Sequence, residues 1–328
     1  MDKATGAGSA TRGAEPADTM MALRAHARGG PEQLVYEQAP IPGPGPGEVL
    51  VAVHAAAITF TELGWDEAWT APGGEARDVL IPSHEVSGTV AALGPGAAEF
   101  SIGDEVYGLV DFDRVGAAAE YVAVPVDALA PKPRAATHAQ AAALALAALT
   151  AWQALADHAG LASGERVLIH GGAGGVGVYA VQIAAALGAE VIATGSAKRA
   201  DFVRGLGAAR YVSYDDEAFD QVLSGLDVVL DTVGGAVAER SYGVLRPGGR
   251  FVTVVAPSSP ELADKHDVRA DFFIVRPDGG QLARLASLVD AGRLRPVVAQ
   301  TYPISDGRQA FEAAARPHDP GKFVLIVR

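Results

Sequence analysis

The sequence predicts a mixed α/β protein in which a doubly wound parallel sheet adjoins a mostly β domain. Three observations carry this. Beyond Thr137, short apolar segments alternate with helical ones, the pattern of strands joined by crossover helices. One of those junctions is a glycine-rich turn between a strand and a helix. The first third of the chain, by contrast, is short strands broken by Gly and Pro turns.

Taken in order, residues 1–19 are small and polar (Gly6, Gly8, Ser9, Gly13) and lack periodicity. They read as a disordered leader, or as sequence upstream of a start at Met20 or Met21, with ordered protein beginning at Ala22. The run Ile41-Pro42-Gly43-Pro44-Gly45-Pro46-Gly47-Glu48 is a turn-rich connection, because neither helix nor central strand tolerates that proline density. Val49–Ala57 and Val86–Leu93 read as strands, and residues 22–130 as mostly β. An Ala-rich helix is expected over His138–His158, N-capped by Thr137 and stopped at Gly160. Strands follow at Arg166–His170, Glu190–Thr194, Tyr211–Val212, Asp227–Asp231, Arg250–Val255 and Asp271–Val275. Helices such as Val178–Leu187 and Lys198–Leu206 lie between them. After Pro277 come a helix (Gln281–Ala291), a strand near Pro296–Gln300, a helix (Asp306–Ala315) and a last strand, Lys322–Val327.

Bulk composition excludes several functions. The net charge is −13, with 26 Lys and Arg against 39 Asp and Glu, so the chain repels a phosphate backbone or an anionic membrane surface at long range. There is no cysteine, which rules out disulfides and thiolate metal ligands alike. No uninterrupted apolar run approaches the roughly 18 residues of a membrane span, and the N-terminus lacks a signal-peptide core. The expectation is a cytoplasmic enzyme.

The strongest chemical signal is Val167-Leu168-Ile169-His170-Gly171-Gly172-Ala173-Gly174-Gly175-Val176-Gly177. An apolar strand runs into Gly172-x-Gly174-x-x-Gly177 and a helix runs out. That is the arrangement in which glycine allows a tight turn, close backbone approach to a pyrophosphate, and helix–strand contact. Where a dinucleotide without a 2′-phosphate expects a carboxylate, the second strand ends Ala193-Thr194-Gly195-Ser196, and Lys198 and Arg199 follow. Two cations there welcome a 2′-phosphate, so NADP is the expected cofactor; the alternative is that they form a solvated helix face.

These residues resemble the medium-chain dehydrogenase/reductase superfamily, in its zinc-independent quinone oxidoreductase-like branch. The resemblance runs from Met20 to Arg328 and rests on Pro44-Gly45-Pro46-Gly47-Glu48-Val49, Ser83-His84-Glu85-Val86-Ser87-Gly88, Val90–Gly96 and Phe100–Gly108. It rests further on Ala148-Leu149-Thr150-Ala151-Trp152, the glycine turn, Asp231-Thr232-Val233-Gly234-Gly235, Leu245-Arg246-Pro247-Gly248-Gly249 and Gly321-Lys322-Phe323-Val324-Leu325. It implies a Rossmann domain (135–276) inserted in a GroES-like substrate domain (20–134 and 277–328), with a cleft between. It implies Thr150 near the nicotinamide ribose, Tyr214 and Lys198 near the adenosine phosphate, and Val233, Gly234 and the turn Val254, Val255, Ala256, Pro257 along the cofactor. It also implies a homodimer paired through Asp271–Val275, an apolar strand that would be hazardous as a free edge.

Departures from the family pattern shape the expected chemistry. His84-Glu85 survives from the zinc-binding members without any cysteine, so no metal is expected and His84 reads as a packed or hydrogen-bonded residue; the alternative is a three-ligand set of His84, Glu85 and Asp111 or Asp113. Where relatives carry Asn-Pro-x-Asp, this chain has Thr59-Phe60-Thr61-Glu62, followed by Trp65 and Trp69. Phe60, Trp65 and Trp69 either line a pocket for a planar, hydrophobic molecule or pack a short helix, and Phe272 and Phe273 extend the same wall. Without a Lewis acid, hydride delivery suits a quinone or an α,β-unsaturated carbonyl. Thr59, Thr61 and Glu62 are the nearest candidates for a proton donor, and none is assigned. The alternatives are a pathway-specific enzyme acting on a larger natural product, and a non-catalytic NADPH-binding sensor or structural protein.

Overall fold

A computed structural model describes residues 19–328. Strand β1 (Thr19–Ala25) pairs antiparallel with β2 (Leu34–Pro40). β1 thus includes Thr19, Met20 and Met21, ahead of the expected start at Ala22, and pairing with β2 buries Met20, Ala22 and Leu23. The rest of the proposed leader lies outside the described residues. Next come β3 (Glu48–Ile58), β4 (Glu85–Leu93), β5 (Glu105–Leu109), β6 (Tyr121–Pro125) and β7 (Leu129–Pro131).

A helical stretch follows as α1 (His138–Ala142), α2 (Ala145–Trp152) and a last turn of π-helical pitch, Gln153–His158. Thr137 caps it through a complete box, accepting from Gln140 N–H while the Gln140 side chain accepts from Thr137 N–H. It stops at Gly160, whose φ of 58° suits glycine. Residues 138–158 are long and apolar enough to cross a membrane, but most of that stretch is buried inside the protein as a core helix.

The alternating region supplies β8 (Arg166–Ile169), α3 (Gly177–Ala186), β9 (Glu190–Gly195), α4 (Ala200–Arg204), β10 (Arg210–Ser213), α5 (Phe219–Val222), β11 (Leu226–Asp231), α6 (Gly235–Ser241), β12 (Leu245–Thr253), α7 (Pro260–His266) and β13 (Arg269–Phe272). The six strands form one parallel sheet in the order β10-β9-β8-β11-β12-β13. Chain direction across the sheet reverses between β8 and β11, the position at which open parallel sheets bind ligands beyond their carboxyl ends. One face packs on α2, α3 and the later helix α8 (Gly279–Asp290) through Leu149, Val181 and Leu285; Leu168, Phe219 and Tyr242 belong to the core of the other face.

The chain closes with β14 (Val298–Pro303), α9 (Gly307–Ala314) and β15 (Lys322–Ile326). β15 pairs antiparallel with β3, so the last strands join the sheet begun by the first third, ordered β14-β15-β3-β4-β5-β7 with β6 also on β3. The chain is thus a Rossmann-type parallel sheet flanked in sequence by two parts of a second sheet.

Candidate functional site

The turn after β8 is shaped by steric limits. A Cβ on Gly177 would stand 2.0 Å from the Gly171 carbonyl oxygen, and one on Gly172 would stand 2.9 Å from Ala193 Cβ. Only glycine lets the start of α3 close onto the turn at the first and β9 approach at the second. Gly172 N–H donates to Thr194 O and Gly174 N–H to Gly171 O, whereas the N–H groups of Ala173, Gly175 and Val176 meet no protein acceptor among the described residues. Free donors at the start of a ten-residue helix form an anion cradle, so the residues present fit a pyrophosphate. The aliphatic stem of Lys322 packs beneath the turn: a Cβ on Gly175 would lie 3.6 Å from Lys322 Cδ.

Beside this turn lies a cleft of about 230 Å³ lined by Thr194, Gly195, Tyr214 and Val233 together with His170, Phe219 and Arg240. His170 is buried, bonded through Nδ1 to Thr194 Oγ1 (3.0 Å) and through Nε2 to Ser241 Oγ (2.9 Å), and burial pulls its pKa down to about 4. Arg240 packs over Phe219 and pairs with Asp220. Ser196 and Lys198 follow β9 but are not among the residues lining this cleft, and no acceptor meets the Lys198 ammonium among the described residues. Arg199 is engaged: Nη1 donates to Asp319 Oδ1 at 2.9 Å and Nη2 to the His318 carbonyl at 2.8 Å. The pattern of charges after β9 gives no sign of this, since Asp319 lies 120 residues away.

A second cleft, of about 280 Å³, is largely apolar and joins the two sheets. Trp65 and Phe112 face each other edge to plane at 5.1 Å on one side, with Phe272 and Phe273 contributing another wall. Thr150, Val176, Val254 and Val255 also line it, so the glycine turn and the apolar cleft share Val176. Thr150 Oγ1 is turned back onto Leu146 O at 2.7 Å. Ala256 lies in a neighbouring hollow with Asp231 and Thr253, and Gly234 borders that hollow too. Asp231 organises this rim by accepting from Val233 N–H, Gly234 N–H and Thr253 Oγ1.

Two of the three aromatics from the Thr59–Trp69 segment lie elsewhere. Trp69 is in the core, its indole N–H donating to Leu63 O at 2.8 Å, and Phe60 is half exposed away from the cleft. Phe112, a cleft residue, was missed because it sits alone between two aspartates with no periodic pattern around it.

Thr59, Thr61 and Glu62 do not line the apolar cleft either. Thr61 is exposed. Glu62 is buried and accepts N–H bonds from Thr59 and Ser83; desolvation outweighs both and pushes its pKa up to about 8. Thr59 Oγ1 accepts from Lys322 Nζ at 2.8 Å, and the same ammonium pairs with buried Glu85 at 2.6 Å. Lys322 therefore ties the last strand to two segments of the first third, immediately beneath Gly175. Ser83, which precedes His84, holds a left-handed φ of 66°. His84 is buried with Nδ1 3.1 Å from Asp111 O, its ring packing edge-on against Phe112.

Residues 45–134 match the profile of the alcohol dehydrogenase GroES-like domain, and residues 206–325 that of the zinc-binding dehydrogenases. A probable zinc-binding oxidoreductase, mitochondrial, from Arthroderma benhamiae is 32% identical over 313 residues, spanning 90% of this chain and 93% of that protein. The spectinabilin polyketide synthase system protein NorB of Streptomyces orinoci is 36% identical over 296 residues, which are 86% of this chain but 13% of NorB. The quinone oxidoreductase of Coxiella burnetii superposes with a TM-score of 0.85 at 30% identity, covering 94% of this chain and all of that one.

Proposed function

As the chain belongs to the medium-chain dehydrogenase/reductase superfamily and is an NAD(P)-binding oxidoreductase of that family, we propose that it reduces a quinone or an α,β-unsaturated carbonyl with NADPH, without zinc. The observation that carries this reading is the aromatic, apolar cleft that shares Val176 with the pyrophosphate turn. A reduced nicotinamide, when bound, supplies the hydride. Thr150, Val176 and Val254 wall the cleft against water, and Trp65 packed on Phe112 offers one aromatic wall to a flat, uncharged substrate. Glu67 is the one titratable residue among those lining the cleft, and no proton donor is assigned.

The residues do not fit a catalytic zinc. The sequence has no thiolate, Glu85 is paired with Lys322, and although His84 leaves a buried Nε2 without a partner, no group of three His, Asp or Glu side chains forms around it among the described residues. For the cofactor, Lys198 and Arg199 beside Gly195 support NADPH over NADH. A pathway-specific role on a larger natural product is a second reading, favoured by the likeness to a polyketide synthase protein.

The test is titration with NADPH and NADH, followed by addition of 1,4-quinones and short enones while reduced-nicotinamide absorbance is recorded. Oxidation confined to NADPH is expected. Lys198→Ala with Arg199→Ala should weaken NADPH about tenfold to a hundredfold and leave NADH nearly unchanged. Equal losses for both overturn the cofactor reading. Tight binding without turnover on small acceptors favours the larger substrate or a non-catalytic role.

A further inference from the structure

The turn that follows β9 presents its donors to two carboxylates of the protein itself. Asp215 Oδ2 accepts from Ala197 N–H at 2.8 Å, and Asp319 Oδ1 accepts from Arg199 at 2.9 Å. Of the two cations of the turn, Arg199 is thus paired with a carboxylate, whereas the Lys198 ammonium meets no acceptor among the described residues. Arg199 and Asp319 differ in exposure: the guanidinium side chain is 21% exposed and the carboxylate 83%. Asp319 comes from the segment before β15, whereas Arg199 follows a strand of the parallel sheet. The segment bearing Asp319 has contacts besides the carboxylate, one to Arg199 itself and one to Phe323, both through His318. The Asp319 carbonyl lies 2.6 Å from His318 Nδ1, the His318 ring packs edge-on against Phe323, and the His318 carbonyl makes its own bond to Arg199. The carboxylate can therefore leave for water while its loop stays in place.

We propose that Asp319 is a specificity-determining residue: its carboxylate occupies Arg199 where a 2′-phosphate would bind, and a 2′-phosphorylated nucleotide must displace it. This rests on the NADPH reading above. A phosphate carries more charge than a carboxylate and offers more acceptor oxygens, so it wins the exchange. The contest narrows the preference for NADPH. Being solvent-exposed, the displaced pair limits the effect to about fivefold.

The test uses the full chain and two probes, adenosine 2′,5′-bisphosphate and adenosine 5′-monophosphate, with dissociation constants measured by calorimetry. Asp319→Asn should tighten the bisphosphate about two- to fivefold and leave the monophosphate unchanged. In an Arg199→Gln background the same substitution should change neither. Tightening that persists without Arg199, or that affects both probes equally, is a long-range field effect and overturns the proposal. No effect of Asp319→Asn while Arg199→Gln weakens the bisphosphate also overturns it, yet leaves the NADPH reading standing. If the bisphosphate binds no better than the monophosphate, in the parent and in Asp319→Asn alike, both readings fall.

Discussion

At the scale of single residues, burial sets the behaviour of two ionisable groups on opposite sides of neutrality. His170 has its pKa drawn down to about 4, so below 6.5 the unfolded chain takes up a proton that the folded one refuses. Its stabilising contribution is present above 6.5 and is lost as pH falls towards 4, by an amount of order 3 kcal/mol. Glu62 is shifted the other way, up to about 8. Between 4.5 and 8 the folded state keeps a proton that the unfolded state releases, so its contribution is present below 4.5 and is lost as pH rises through that window. Denaturant midpoints from pH 4 to 9 should show both slopes. His170→Gln should flatten the acid limb and Glu62→Gln the alkaline one, and profiles parallel to the parent would contradict the assignment. Of the residues singled out by sequence, Trp65, Phe272 and Phe273 line the apolar cleft; Trp69 fills a core that its neighbours in sequence do not announce.

Among the elements, the strand-turn-helix of the pyrophosphate site is the most constrained. Gly177→Ala places a methyl group 2.0 Å from a backbone oxygen that cannot turn aside. The substitution should cost about 3 kcal/mol in denaturant unfolding and weaken both NADPH and NADH. Retained stability with normal binding would mean that α3 shifts freely. The parallel strands and helices were legible because apolar runs and glycine turns are local signals. Strand boundaries moved by a few residues: β12 begins at Leu245, not Arg250, and β13 covers Arg269–Phe272, leaving Phe273 to Val275 as cleft wall. β1 was missed because its partner β2 lies beyond a turn, and pairing rather than periodicity orders it.

For the whole molecule, β13 is the last strand of the parallel sheet, and the exposed Ile274 follows it. An unshielded edge of this kind invites pairing with a second copy. Sedimentation should therefore return about twice the 33.5 kDa chain mass, and a monomer at micromolar concentration would refute dimerisation.

By itself the sequence determined the parallel-sheet architecture, the glycine turn, the capped helix at Thr137 and the absence of thiolate ligands. Each of these follows from backbone sterics or periodicity within a short window. Only the tertiary structure decided where the charges go. Lys322 reaches Thr59 and Glu85 beneath Gly175, and Arg199 meets Asp319 rather than standing free. Those partners are brought together by two sheets whose strands lie far apart in the chain, and no local pattern encodes which side chains will face one another across such a junction.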